Sequence, residues 1–241
     1  MNNALPIFIS FLAGISTVLG GLIIVFKKEY NSQNLSVFLG FSAGIMIGIS
    51  LFDLLYNSYI YLNNKNNSIF LIFIFVLIGI LIALLIDKMV PKESNKVGRV
   101  GVISLIGIII HNIPEGIATF ITASYDIKLG ISFALAIAIH NIPEGIAISI
   151  PLFNKNKSIK NTLLFTTIAG FSELFGALLS CIFLSNYVNT ITMGILFAII
   201  AGIMLQISIF ELLPLSLLND KKKGIYALIT GILFILINIY I

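Results

Sequence analysis

Long apolar stretches recur along the chain, separated by short segments that hold most of the polar and charged residues. Each stretch is close to the roughly 20 residues that an α-helix needs to cross the hydrocarbon core of a bilayer. The apolar character is continuous and does not alternate between two faces, which disfavours a transmembrane β-barrel. The pattern predicts eight spans, over residues 4–26, 35–60, 69–90, 100–123, 128–153, 161–185, 189–213 and 224–241.

The composition also indicates a chain embedded in lipid. Hydrophobic residues make up 59% of the 241 residues, charged residues make up 10%, and the mean hydropathy is +1.10. These values lie outside the range of soluble domains. We therefore predict an all-α polytopic membrane protein with one transmembrane domain over residues 1–241. No basic residue precedes the first stretch, so we expect a retained first helix and not a secretory signal.

Basic residues are divided unevenly between alternate loops. Of the 14 basic residues, only Lys65 and Lys128 fall in one set of loops. Because positive charge accumulates in cytoplasmic loops, we expect both termini and the loops near 61–68, 124–128 and 186–188 to lie outside. The formal net charge of +4 then reflects topology, and we expect no nucleic-acid partner. The other 12 basic residues are Lys27, Lys28, Lys88, Lys92, Lys96, Arg99, Lys155, Lys157, Lys160, Lys221, Lys222 and Lys223.

One octapeptide occurs twice. The sequence His-Asn-Ile-Pro-Glu-Gly-Ile-Ala occupies residues 111–118 in the fourth stretch and residues 140–147 in the fifth. Consecutive spans run in opposite directions, so the two copies should face each other head to tail near the middle of their helices. Proline at the fourth position removes a backbone hydrogen bond, which bends the helix and frees the carbonyls of Ile110 and Ile139. The following glycines, Gly116 and Gly145, allow helices to approach closely.

A second similarity relates the two ends of the chain. Residues 43–55 and 201–213, in the second and seventh stretches, are identical at nine of thirteen positions. A fainter likeness between the first and sixth stretches sets Thr17 opposite Glu173. We therefore predict an inverted-topology repeat, with helices one to three related to helices six to eight around a core of helices four and five. Secondary transporters built on such repeats place their substrate site near the membrane midplane.

Apart from Asp87, Lys88 and Lys128 at the ends of spans, five acidic residues and both histidines fall within the predicted spans, with no Lys or Arg to neutralise them. A charged group in the bilayer centre costs at least about 2–3 kcal/mol, so protons or a bound cation should compensate these carboxylates. In each octapeptide the His, Asn and Glu lie three or four residues apart and therefore share one helix face. A single such histidine could be a hydrogen-bonded core residue, but the duplication favours a cation site.

The types of side chain point to a transition metal. Imidazole nitrogen with carboxylate oxygen suits zinc, iron, manganese, cobalt or cadmium, whereas oxygen ligands alone would suit calcium or magnesium. The one cysteine, Cys181, lies in the sixth stretch, and we interpret it as a core residue. Two carboxylates could each be shared between two metal positions, which favours a binuclear site. The predicted metal-binding residues are His111, Asn112, Glu115, His140, Asn141 and Glu144, with Glu173 as a third carboxylate.

Two further acids flank this site in the predicted topology. Asp53 and Glu211 occupy equivalent positions of the repeat, yet Asp53 falls toward the outer end of its span and Glu211 toward the inner end. Our hypothesis is that Asp53 recruits cations and Glu211 passes them inward. The alternative is that each carboxylate extends from a helix end to the interface. Ser50, Ser208 and Gln206 are additional candidates for residues that line the pathway.

On these motifs the chain resembles the ZIP metal transporters, in the bacterial branch of ZupT and GufA-like members. The resemblance covers essentially the whole chain. It implies eight helices, external termini, a binuclear site between helices four, five and six, uptake into the cytosol, and homodimers in the cell membrane. It also implies metal binding by the seven residues named above. Of these, Asn112, Glu115, Asn141 and Glu144 would contact both metal positions.

The chain departs from the family pattern in two places. Residues 87–99 contain no histidine, whereas many members carry a histidine-rich loop there. The fifth-helix motif also lacks the additional histidine that zinc-selective members often have at the place of Asn141 or Glu144. This second departure favours a broad range of metals that includes iron(II).

We therefore predict a carrier of divalent transition metals such as zinc and iron(II), with manganese, cobalt and cadmium as further cargo. We expect lipid, metal ions and a second copy of the chain as partners, and no cofactor. One alternative is an intramembrane metalloenzyme, since His and Glu on facing helices also build hydrolytic and di-iron centres. The absence of His-Glu-x-x-His and of a spare general base disfavours it. Another alternative is a passive cation channel, which tight binding disfavours.

Overall fold

The computed structural model describes residues 3–26, 32–63, 67–91, 96–184 and 189–240. Within these residues the chain forms helices and no β-strand, which confirms the predicted all-α membrane fold. Part of the charge pattern used for the topology, at Lys27, Lys28, Lys65 and Lys92, lies outside the described residues, as does the predicted loop 186–188.

Eight long helices, some with a short break or π turn, are present in the described parts of the chain, and we label them α1 to α8. The predicted spans match them in number and order, and most helices extend a few residues beyond the predicted bounds. The bounds are Ala4–Gly21 and Ile23–Phe26 for α1; Ser32–Ile49, Ser50–Leu54 and Leu55–Leu62 for α2; Ser68–Met89 for α3; Lys96–Tyr125 for α4; Ile127–Asn156 for α5; Ile159–Leu179 and Ser180–Leu184 for α6; Thr190–Ile207, Ser208–Leu212 and Leu213–Asn219 for α7; and Lys221–Tyr240 for α8.

Seven of these helices, α1 to α7, are long and apolar enough to cross a membrane. Helix α8 corresponds to the predicted span 224–241 and is not one of the seven; the last residue of that span lies outside the described residues. The protein is therefore a multi-pass membrane protein.

Polar residues at the helix ends explain where several helices begin. Helices α4 and α5 are separated by Asp126 alone, whose carboxylate accepts hydrogen bonds from the backbone N–H groups of Lys128 at 2.7 Å and Leu129 at 3.2 Å. Asn189 and Thr192 form a reciprocal capping box at the start of α7. These contacts satisfy N–H groups that have no partner inside the helix.

Helices α2 and α7 each contain a π-helical turn at equivalent positions, Ser50–Leu54 and Ser208–Leu212. The serine that opens each turn donates to the carbonyl four residues earlier, at 2.7 Å in α2 and 2.6 Å in α7. The two turns hold the two candidate flanking acids, Asp53 and Glu211. A third π turn, Ser180–Leu184, ends α6. Single π turns are frequently found at functional sites.

The chain divides into two compact units, and neither is a continuous part of the sequence. Unit 1 comprises Met1–Lys28 and Ser104–Val188, which hold α1, most of α4, α5 and α6. Unit 2 comprises Glu29–Ile103 and Asn189–Ile241, which hold α2, α3, the first residues of α4, α7 and α8. Within unit 1, α1 packs against both α5 and α6. Within unit 2, α2 packs against α8 and α3 packs against α7.

Candidate metal site

All seven predicted metal-binding residues lie in unit 1, on helices α4, α5 and α6. Each is buried, and the most exposed of them, His140, has 4% of its surface accessible. The proline of each motif lies inside a continuous helix, Pro114 in α4 and Pro143 in α5. The two motifs therefore present their polar side chains from intact helices.

Each histidine faces the glutamate of the other motif. His111 Nε2 lies 3.1 Å from Glu144 Oε1, and His140 Nε2 lies 3.4 Å from Glu115 Oε1. This reciprocal arrangement follows from two copies of one motif on neighbouring helices that run in opposite directions. The structure thus brings together the two imidazoles and two carboxylates that the duplication suggested.

The two asparagines join the motif helices to α1 and α6. Asn112 Nδ2 donates to the backbone carbonyl of Ala169 on α6 at 3.0 Å, and Asn141 Nδ2 donates to that of Ala13 on α1 at 3.1 Å. Asn141 Nδ2 also donates to Glu173 Oε2 at 2.9 Å, which places the third carboxylate against the α5 motif. A carbonyl oxygen can only accept, so these contacts fix the orientation of both amides.

Several polar atoms of this cluster are buried without a hydrogen-bond partner. A buried acceptor that lacks a donor costs about 1–3 kcal/mol, so such atoms are normally avoided or matched by an ion or water. Their concentration in one part of unit 1 is the chemistry of a cation site. The atoms are Asn112 Oδ1, Asn141 Oδ1, Glu115 Oε2, Glu144 Oε2, Glu173 Oε1 and His111 Nδ1, while Glu115 Oε1 has the 3.4 Å contact with His140 Nε2.

No three His, Cys, Asp or Glu side chains in the described part of the chain are already arranged around one point as metal ligands. The His111–Glu144 and His140–Glu115 pairs contact each other directly. The cluster therefore holds imidazole and carboxylate groups of the kind that bind transition metals, but in this structure they contact one another.

The motif glycines allow close packing, but their partners are α6 and α1. A Cβ atom at Gly116 would overlap the backbone carbonyl oxygen of Glu173, and one at Gly145 would overlap that of Thr17. Similar contacts in the reverse direction join Gly176 to Ile113 and Gly20 to Ile142. The backbone of each motif helix thus lies directly against the helix that supplies its asparagine with an acceptor.

A family model described as ZIP Zinc transporter matches residues 91–238, which include both motifs and Glu173. The chain belongs to the ZIP family. Curated relatives extend the match to nearly the full length. The Zinc transporter ZupT of Streptococcus mutans is 38% identical over 95% of this chain and 94% of its own length. Proteins of the same name from Clostridium perfringens and Campylobacter jejuni are 37% and 34% identical, over 99% and 94% of this chain and 96% and 92% of their own lengths.

Membership of the ZIP family confirms the predicted resemblance. The family consists of transporters, so membership also confirms that the chain is not an enzyme, and the metalloenzyme alternative is excluded.

The candidate pathway residues of this ZIP protein all lie in unit 2. The carboxylate of Asp53 accepts from Asn57 Nδ2 at 2.6 Å, one helical turn along α2. Gln206 is 2% exposed, and its Oε1 has no hydrogen-bond partner. The hydroxyls of Ser50 and Ser208 are buried and donate within their own helices. Gln206 therefore has a buried oxygen that a ligand could satisfy, whereas the hydroxyls of Ser50 and Ser208 are already hydrogen-bonded within the protein.

Glu211 has two charged neighbours, Asp87 and Arg99, and the sequence interpretation had placed Arg99 in a loop. Asp87 lies beside it in unit 2, and Arg99 Nη2 contacts Asp87 Oδ1 at 2.6 Å. The predicted span 69–90 included Asp87, and α3 continues to Met89; the assignment of Arg99 to the following loop is wrong, because α4 begins at Lys96. The sequence feature that could have predicted this contact is the opposite charge of Asp87 and Arg99 on either side of a short connection.

Proposed function

We propose that this ZIP protein transports divalent transition-metal ions, with zinc and iron(II) among them, across the cell membrane toward the cytosol. The observation that carries the proposal is the set of buried acceptors without donors on α4, α5 and α6. Oxygen and nitrogen lone pairs held in a buried cluster attract a cation with the ligand preferences of zinc or iron(II). The relatives named Zinc transporter ZupT support zinc as one cargo.

The proposed site is binuclear. Its two halves are the His111–Glu144 and His140–Glu115 pairs, each of which supplies an imidazole and a carboxylate. Ions that enter would replace the direct His–Glu contacts, so each pair becomes a pair of ligands. The unpartnered Oδ1 atoms of Asn112 and Asn141, together with Glu115 and Glu144, are the groups we propose to be shared between the two positions.

We also propose that unit 1 carries the ions as one body during alternating access, and that the chain is an inverted repeat with both termini outside. Close backbone contacts between α4 and α6 and between α5 and α1 favour joint movement of these four helices. The matched π turns of α2 and α7 support the repeat. The homodimer rests on the family resemblance alone.

Asp53 and Glu211 are proposed as flanking sites that exchange ions with the central one. Both lie in π turns, and both are partly exposed. Alanine at either position should change the concentration dependence of transport, because a weaker flanking site alters how often an ion reaches the tighter one. Unchanged kinetics for both variants would remove these residues from the pathway.

Uptake by the purified protein in liposomes tests the proposed function. The measurement is accumulation of zinc, iron(II), manganese or cadmium, each with and without a pH gradient, by the wild type and by Glu115→Gln and Glu144→Gln. Replacing a residue that only supports a metal ligand typically costs about 10- to 100-fold, so loss of one ligand should lower uptake at low metal concentration by at least about that factor. A matched carboxyl-to-amide control is Asp220→Asn at the start of α8, which keeps a capping oxygen.

The outcomes separate the alternatives. Saturable uptake that both glutamine variants reduce and the control retains supports transport through this site. Uptake that rises without saturation indicates a channel. No flux of any metal with the wild-type protein contradicts the proposed function, and flux of zinc alone contradicts the broader cargo range.

A further inference from the structure

The hydroxyl of Thr17 on α1 is buried and has no hydrogen-bond partner. A threonine inside a helix usually donates to the carbonyl four residues earlier. Other buried threonines of unit 1 do so: Thr119 donates to Glu115 O and Thr166 to Thr162 O, both at 2.9 Å. Thr17 is therefore an exception within its own unit.

The carbonyl that would serve Thr17 is already occupied. Ala13 O accepts from Asn141 Nδ2 at 3.1 Å and from Ser16 Oγ at 2.5 Å. Inside α1 this oxygen also accepts the backbone N–H four residues later, so its two lone pairs are fully used before the Thr17 hydroxyl can donate to it. The asparagine of the α5 motif and the neighbouring serine thus leave the Thr17 hydroxyl without an acceptor.

The same arrangement occurs on α6. Ala169 O accepts from Asn112 Nδ2 at 3.0 Å and from Ser172 Oγ at 2.5 Å. The residue four positions after this carbonyl is Glu173, one of the proposed metal ligands. Thr17 therefore stands on α1 where Glu173 stands on α6, each four residues after a carbonyl that accepts from a motif asparagine.

Backbone packing supports the same correspondence. The carbonyl of Glu173 lies against Gly116, the residue after the α4 motif glutamate, and the carbonyl of Thr17 lies against Gly145, the residue after the α5 motif glutamate. The backbone of residue 17 thus lies beside the α5 motif as the backbone of residue 173 lies beside the α4 motif, while the Glu173 carboxylate reaches across to Asn141 on α5.

We propose that Thr17 Oγ1 is a neutral oxygen donor to a divalent cation at the second of the two metal positions. This rests on the proposed binuclear site. Glu173 would serve one position with a carboxylate, and Thr17 would serve the other with a hydroxyl. The two positions then differ by one negative charge, so the position at Thr17 binds the ion more weakly and releases it first.

Equilibrium binding of zinc to the purified protein, measured by calorimetry, tests this assignment apart from transport. The variants are Thr17→Val, which keeps the shape and removes the hydroxyl, and Thr17→Ser, which keeps the hydroxyl. Thr166→Val is the matched control, since its hydroxyl is equally buried but is satisfied within α6. If Thr17→Val yields no folded protein, Thr17→Ala compared with Thr17→Ser makes the same test.

The wild type should bind two zinc ions with unequal affinity. Thr17→Val should weaken the second ion about 10-fold or more and leave the first unchanged, whereas Thr17→Ser and Thr166→Val should bind like the wild type. In liposomes, Thr17→Val should raise KM with little change in kcat. Absence of wild-type uptake would contradict transport and leave the binding assignment standing.

Four results would overturn the role of Thr17. The first is wild-type affinity of Thr17→Val for both ions, and the second is equal weakening of both. The third is a loss in Thr17→Ser as large as that in Thr17→Val, which would indicate packing. The fourth is a single bound zinc ion in the wild type.

Discussion

Replacement of Gly116 by alanine should damage the proposed metal site more than it damages the fold. The added Cβ would overlap the backbone carbonyl oxygen of Glu173, and a backbone atom cannot move aside as a flexible side chain can. Helices α4 and α6 must therefore separate by roughly 1.5 Å before the contact becomes an ordinary one. Because Glu173 is part of α6, its carboxylate moves away from the α4 motif by a similar amount.

The expected magnitudes follow from this separation. Metal–ligand distances vary by only about 0.2 Å between good sites, so a shift of this size weakens a ligand, and the apparent affinity should fall by about 10- to 100-fold. Overpacking costs about 1–3 kcal/mol, while alanine is favoured over glycine in a helix by about 1 kcal/mol. The net loss of stability should therefore be at most about 2 kcal/mol. Gly145→Ala, against the Thr17 carbonyl, should behave similarly.

Initial rates of zinc uptake into liposomes, measured over a range of concentrations, give KM for each variant, and thermal melting in detergent gives the stability. Gly48→Ala is the control: its Cβ would lie 3.1 Å from the Ile235 side chain in unit 2, which can yield by a few tenths of an ångström. A wild-type KM for Gly116→Ala would refute the reasoning, because it would mean that the separation does not reach the ligands. An equal rise in KM for Gly48→Ala would show a general effect of substitution.

Two further predictions concern the helix ends. Asp126→Ala removes the acceptor of two backbone N–H groups at the start of α5, so it should lower the stability by about 1 kcal/mol and lower the Tm. Asp126→Asn should keep the wild-type Tm, and equal Tm values for the two variants would contradict a capping role. Arg99→Met removes the 2.6 Å contact with Asp87 and should lower the stability by about 1–2 kcal/mol, because both side chains are only partly exposed. Lys88→Met, on the exposed surface of α3, should cause no measurable loss of stability in the same melting assay.

The helices could be predicted from the sequence because hydropathy responds directly to the lipid. The predicted span 4–26 coincides with Ala4–Phe26, and the others agree to within a few residues. The errors lie where charged residues occur inside a helix. Arg99 was assigned to a loop, yet its contact with Asp87 lets the charge lie within the first turn of α4. Hydropathy cannot foresee such a contact, because it assigns a cost to each residue separately.

The central contacts of the site could also be foreseen, because an exact repeat on neighbouring antiparallel helices must bring each histidine toward the opposite glutamate. The contribution of α1 could not. The acceptor for Asn141 is the backbone carbonyl of Ala13, which lies 128 residues earlier in the chain, and a carbonyl leaves no signature in residue identity. Thr17 was visible only as the counterpart of Glu173 in a faint repeat, and its unmatched hydroxyl emerges from the hydrogen bonds around it.

The asparagines explain how the motif can join the proposed metal binding to helix packing. The amide nitrogen of Asn141 holds α1 through Ala13 O, that of Asn112 holds α6 through Ala169 O, and the oxygen of each amide is left buried and unpartnered. An aspartate could offer the oxygen to a metal, but its carboxylate would face a backbone carbonyl with no donor between them. An amide is the side chain that donates to the neighbouring helix and accepts a cation at once. The site and the packing of α1 and α6 onto the motif helices therefore depend on the same two residues.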